Sequence, residues 1–90
     1  MVEDRIIYKY HVSIGSNFLD LPAGSEVLTI ERQYNSAVVY VVQPVEFSGR
    51  DYVNIELVGT GAQFNFPSAR YIGTVLLNND NFVLHAFEVR

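Results

Sequence analysis

The chain of 90 residues has no cysteine, no tryptophan and only three prolines. Without cysteine there is no disulfide to staple a small fold, no thiol nucleophile and no zinc-thiolate site. A domain of this size buries only about 60–65% of the surface its unfolded chain exposes, so its stability is marginal unless something is added to its own core. Helical periodicity is also missing. Nowhere does a 3.6-residue apolar repeat run for about ten residues without a glycine, a proline or a β-branched cluster, so no long helix is expected. Positive charge is scarce and scattered: Arg5, Lys9, Arg32, Arg50, Arg70 and Arg90 stand singly in a chain of net charge −4. Phosphate-backbone binding calls for a clustered basic patch, so nucleic acid is not expected as a partner. The ten acids are dispersed too, which disfavours an acidic imitation of DNA.

The two histidines, His11 and His85, have no carboxylate at a ligand-like distance along the chain. No metal and no cofactor are therefore expected. The longest uncharged stretch near the centre, Tyr34 to Val45, contains Asn35, Ser36, Gln43 and Pro44 and is too short to span a bilayer. The start, MVEDRIIYKYHV, places acids at Glu3 and Asp4 and lacks the apolar core of a signal peptide. The expectation is a protein without membrane association, in the cytoplasm.

What is present is strand sequence. With 49% hydrophobic and 18% charged residues, the composition is that of one folded domain over 1–90. Arg5–Ser13 reads as a half-buried strand, with Ile6, Tyr8, Tyr10 and Val12 on one face and Arg5, Ile7, Lys9 and His11 on the other. A turn follows at residues 14–17, then a short strand over Phe18–Leu21, then the turn Pro22-Ala23-Gly24-Ser25. Glu26–Tyr34 alternates with Leu28, Ile30 and Tyr34 inward, and Thr29, Glu31 and Gln33 outward. Ala37–Gln43 is apolar and β-branched on both faces, the mark of a central strand. Asp51–Val58 turns Val53, Ile55 and Leu57 to one side and Tyr52, Asn54 and Glu56 to the other. Residues 71–90 read as a hairpin about the turn Asn78-Asn79-Asp80-Asn81. Together these predict an all-β fold of six to seven short, mainly antiparallel strands, closed as a small barrel or packed as a two-layer sandwich.

Several segments taken together, Ile7-Tyr8-Lys9-Tyr10, Leu21-Pro22-Ala23-Gly24-Ser25, Gly59-Thr60-Gly61, Tyr71-Ile72-Gly73-Thr74-Val75 and Phe82-Val83-Leu84-His85-Ala86-Phe87-Glu88, span nearly the whole chain. In their order and spacing they resemble a family of short uncharacterised proteins of phage and prophage genomes. The family pattern often has tryptophan near the middle strand and near the C-terminal histidine, and a histidine after the Gly-Thr-Gly. Tyr40, Leu84 and Ala62 stand there in this chain. The resemblance implies a phage-encoded accessory protein and brings no activity with it.

Motifs that suggest chemistry have simpler readings. Gly59-Thr60-Gly61 lacks the third glycine of a dinucleotide loop and the Gly-Lys-Ser/Thr of a phosphate loop, so a turn is expected. Gly73, inside a strand, marks a bulge or a close backbone approach. His85, between Leu84 and Ala86, reads as a hydrogen-bonded packing histidine. Arg50 and Asp51 are adjacent in a strand, so their side chains point to opposite faces and do not converge. No catalytic constellation is recognisable, and the protein is not expected to be an enzyme.

The hairpin at 71–90 poses the remaining question, because Phe82, Leu84 and Ala86 point one way while Val83, Phe87 and Val89 point the other. Soluble monomers rarely leave such a second apolar face open. If the strands close in a single layer, Val38, Tyr40, Val42, Val83, Phe87 and Val89 form an apolar stripe outside it, so either the strands pack as two sheets with one small core or copies of the chain pack together through these six residues in a homo-oligomer, most simply a dimer. The function that follows is a phage-type accessory binding protein that captures a host protein or a small molecule. In one version an anionic metabolite is gripped by Arg32, Arg50 or Arg70. The rival readings are a small virion or assembly component and an unrecognised enzyme.

Overall fold

The computed structural model describes residues 4–90; the acidic start of the chain up to Glu3 lies outside them. Seven strands follow in order: β1 (Arg5–Val12), β2 (Gly15–Pro22), β3 (Glu26–Gln33), β4 (Ser36–Pro44), β5 (Arg50–Gly59), β6 (Ala69–Leu77) and β7 (Phe82–Val89). They form two sheets, β1-β4-β3 and β2-β5-β7-β6, and every pairing is antiparallel. The molecule is thus a two-sheet sandwich and not a closed barrel. Among the described residues no helix is present, so none is long and apolar enough to cross a membrane.

The core forms where the alternation of one sheet meets that of the other. Ala37, Val39 and Val41 of β4 face Val53, Ile55 and Leu57 of β5, Leu84 and Ala86 of β7, and Val75 and Leu77 of β6 across the interior. β4 is central in its sheet, as its composition predicts, and Val38, Val39 and Val41 are all fully buried. Val38 lies on the outer side of that sheet, opposite His11 and Glu31. There Lys9 reaches across β4 and donates from Nζ to Oε1 of Gln33 at 2.8 Å. The stem of a lysine covers apolar surface while its ammonium stays wet.

Two bulges correct the strict alternation. In β3 the register shifts between Val27 and Thr29, so Val27 and Ile30 point inward and Leu28, expected inside, is left 43% exposed. In β6 it shifts between Tyr71 and Gly73. A Cβ at Gly73 would sit 3.0 Å from Cγ2 of Ile30, so any larger residue would press on that side chain, and glycine suits the close approach of β3. That approach draws the β3 and β6 edges together, with Arg70 Nη2 donating to the Val27 carbonyl at 2.8 Å. Arg32 Nη1 reaches the Leu76 carbonyl at 3.4 Å along the same seam.

The hairpin turn at the far end is built from three consecutive left-handed residues, Asn78, Asn79 and Asp80, types whose short polar side chains tolerate that conformation. Tyr34, expected inward, instead lies exposed in the turn between β3 and β4, because β3 ends at Gln33 and Tyr34 takes a positive φ of 56°. The segment Gly59-Thr60-Gly61 is a turn, with Ala62 N bonded to the Gly59 carbonyl.

β1 departs from the half-buried strand expected of it. Val12 is buried and Tyr10 partly so, but Ile6 and Tyr8 on the same face are 40% and 51% exposed. β1 packs closely on β4 alone, so its first half has a neighbour in its own sheet and little opposite it. The radius of gyration, 13.8 Å, reflects this extension, since a compact chain of this length would give about 12 Å.

Candidate functional site

The sandwich offers two distinct regions, one charged and one aromatic. One is a cleft of about 490 Å³ at the end where β5 and β6 begin and β7 ends, lined by Arg5, Glu26, Asp51, Arg70, Glu88 and Arg90. Alternation along β7 carries Leu84 and Ala86 inward and must carry Glu88 inward with them. A carboxylate there needs partners, because an unpaired buried charge is strongly disfavoured. Arg70, opposite Glu88 in the ladder, and Arg90, two residues on, take one carboxylate oxygen each. Burial pushes the Glu88 pKa up, but the hydrogen bonds from Arg90 and Arg70, with their charges, outweigh it and hold the carboxyl below its ordinary value of 4.5. The same hydrogen bond, opposed by partial burial, raises the pKa of Arg90.

The two arginines then cross to the other sheet. Arg90 Nη2 donates to the Ser25 carbonyl at 3.0 Å, and Arg70 Nη2 to that of Val27. Asp51 accepts from Arg90 at 3.5 Å and from the Gly24 amide at 3.2 Å. The cleft therefore sets three guanidinium groups, of Arg5, Arg70 and Arg90, against the carboxylates of Glu26, Asp51 and Glu88. Its formal charges balance, and Arg70 and Arg90 are spent on the carboxylates of Glu88 and Asp51 and on carbonyls, with Arg5 in the lining beside them. This is chiefly a clasp between the sheets.

The other region is the outer face of the four-stranded sheet. β5 and β6 are parallel to each other with β7 between them, so the connection from Gly59 to Ala69 must cross β7. It does so over the outer side of β7, laying Phe64 and Phe66 against Phe87 with ring centroids 4.9 and 6.4 Å away, while Tyr71 approaches Phe87 at 5.7 Å. His85, on the same side, is held at both nitrogens, Nε2 to Thr60 Oγ1 at 2.7 Å and Nδ1 to Thr74 Oγ1 at 3.0 Å. Beyond the loop the face opens. Phe18 of β2 and Tyr52 of β5 are 80% and 75% exposed, although both sit within regular strands. Phe18 is opposite Asn54, which makes Tyr52 its diagonal neighbour, within reach of a shared contact. Around them stand Ser16, Asn54, Glu56 and the ion pair of Arg50 Nε with Asp20 Oδ1 at 2.8 Å. Arg50 also lies 5.3 Å over the ring of Phe47.

The three arginines named as alternative anion grips stand in three different places. Arg32 is near Asp80 at the hairpin end, Arg50 is on the aromatic face, and Arg70 is in the clasp. The six residues expected to form one apolar stripe are split as well. Val38, Tyr40 and Val42 lie on the outer side of the three-stranded sheet; Val83, Phe87 and Val89 lie on that of the other sheet, the far side of the molecule. The stripe assumed a single layer with one inside, whereas the sandwich has two outsides. Glu88, Arg90 and Arg5 were not singled out by the sequence reading. An acid at an inward position, in step with Leu84 and Ala86, was the signal for the first two.

Seven antiparallel strands in two sheets, with an ion-pair clasp at one end and an aromatic outer face, define a small β-sandwich domain. The family model for a domain of unknown function, DUF7352, matches residues 3–90, and the chain belongs to that family. No curated protein and no solved structure matches it.

Proposed function

We propose that the protein is a non-catalytic, phage-type accessory binding protein that captures a host protein on the outer face of its four-stranded sheet. The observation that carries this reading is the exposure of Phe18 and Tyr52, side by side in regular strands with no internal use. Aromatic anchors surrounded by polar and charged groups are the usual composition of an interface centre and its rim. The face is open, whereas small ligands take concave sites. A macromolecular partner suits it better than a metabolite.

The test is a double variant, Phe18→Ala with Tyr52→Ala, which leaves the core untouched. A host protein that forms a stoichiometric complex with the purified wild-type chain should bind the double variant at least tenfold more weakly. Equal affinity for both would place the contact elsewhere. Recovery of the chain as a fixed component of purified particles, with no host protein bound, would favour the virion reading.

A further inference from the structure

We infer that β1 is a self-association edge, through which two copies of the chain pair antiparallel and join their three-stranded sheets into one of six strands. The observation is independent of the aromatic face. A sandwich of two sheets has four edge strands, here β1, β3, β2 and β6. Unpaired edges template association, and proteins blunt them with bulges, prolines, charges or coverings. β3 and β6 are each bulged and are drawn together along the seam of Arg70, Arg32 and Gly73. β2 carries Asp20 and ends in Pro22, and its Asn17 amide occupies the carbonyls of Ser13 and Gly15. Among the described residues β1 has no bulge, no proline and no cover, and its charges are Arg5 at its first position and Lys9 in its middle. Its eight residues pair with β4 in unbroken register, and Lys9, the charge that would guard it, is folded back across β4 to Gln33.

The phase of the ladder shows which groups are free. Val45 N bonds the Asp4 carbonyl at 3.0 Å, and antiparallel pairs alternate, so the even-numbered residues of β1 bond β4. The N–H and C=O groups of Arg5, Ile7, Lys9 and His11 therefore point to the open edge. A two-fold copy centred on Ile7 would set Arg5 against the partner's Lys9, and one centred on Lys9 would set lysine against lysine. Centred on Tyr8, the strands set Tyr8 against Tyr8, Ile6 against the partner's Tyr10, Ile7 against Lys9 and Arg5 against His11. That register opposes no pair of lysines or arginines and covers the apolar residues left open on β1, where Ile6, Ile7 and Tyr8 are 40%, 57% and 51% exposed. Charge pattern and apolar pattern select the same centre, which is why the occupant is a second copy.

Two kinds of variant test this. Because the chain has no cysteine, Tyr8→Cys supplies a single thiol. In the proposed register it faces its copy in a non-hydrogen-bonded pair with Cα atoms roughly 4.5 Å apart, within disulfide reach. Mild oxidation should convert most of the Tyr8→Cys chain to a covalent dimer and leave Phe18→Cys largely monomeric. Lys9→Pro removes an N–H that points to the open edge and none that bonds β4, so it should keep the sheet signal in circular dichroism. It should sediment as one chain of 10.2 kDa where the wild type sediments as two. A wild type that remains a single chain at the highest soluble concentration would overturn the inference. So would a Lys9→Pro dimer, or crosslinking at Phe18→Cys in place of Tyr8→Cys.

Discussion

In β7 and in β1 apolar side chains occupy both faces of an eight-residue strand, but β7 is paired on both sides whereas β1 is paired on one. The second face of β7 is covered by the chain itself, because the parallel arrangement of β5 and β6 forces their connection across it and brings Phe64 and Phe66 onto Phe87. Among the described residues nothing comparable crosses β1. Ile7 on one face and Tyr8 on the other stay more than half exposed. The same sequence pattern thus has two explanations, an internal cover and an open edge, and only the topology distinguishes them.

The largest expected effect separates the two strands directly. Phe87→Asp places a charge under the aromatic cover and should cost about 3–5 kcal/mol of unfolding free energy, whereas Ile7→Asp, on the open strand, should stay within about 0.5 kcal/mol for the isolated chain. Denaturant unfolding at low protein concentration measures both. Similar losses in the two variants would show that β1 is covered after all, or that β7 is not.

Next in size is the clasp. Glu88→Gln should cost about 2 kcal/mol at neutral pH, because both arginines lose their charged acceptor. A carboxyl whose folded pKa lies below its unfolded value stabilises fully above the unfolded value, near 4.5 for Glu88, and loses that contribution as the pH falls through the folded value. The wild type should therefore lose stability on acidification below pH 4.5 faster than Glu88→Gln does, which urea unfolding over that range would reveal. Parallel acid limbs would mean that Glu88 contributes no linkage.

The seam opposite β1 should respond more mildly. Gly73→Ala pushes a methyl group against Ile30 and should cost about 1–2 kcal/mol, and combining it with Ile30→Ala should be less damaging than the sum of the two single changes. Strict additivity, measured by the same unfolding experiment, would deny the contact. Smallest is the turn: Tyr34→Asn should stabilise by about 0.5–1 kcal/mol, since asparagine tolerates a φ of 56° better than a bulky ring.

The all-β class, the central position of β4 and the hairpin at 71–90 were legible because side-chain period and turn chemistry are local. Gly73 was legible as a bulge or a close approach, and both occur there, whereas Leu28 shows the limit. A bulge shifts one face by one residue, and period alone cannot say whether Val27 or Leu28 turns inward until β6 is in place opposite. The proposed sites were less legible for the same reason. Arg32, Arg50 and Arg70 look equivalent in the sequence, yet their positions in three different strands send them to three different places. Glu88 could have been found from its parity with Leu84 and Ala86. The cover over Phe87 could not, because it depends on strand order.

Amide hydrogen exchange resolved along β1, followed from dilute to concentrated protein, bears most directly on the contrast between the two strands. The amides of Tyr8 and Tyr10 bond β4 and should be protected at every concentration, as should those of β7. The amides of Ile7, Lys9 and His11 should exchange freely when dilute and gain at least tenfold protection when concentrated, as two copies pair. Free exchange of those three at all concentrations would contradict the account, and so would protection of them that is already complete in the dilute chain.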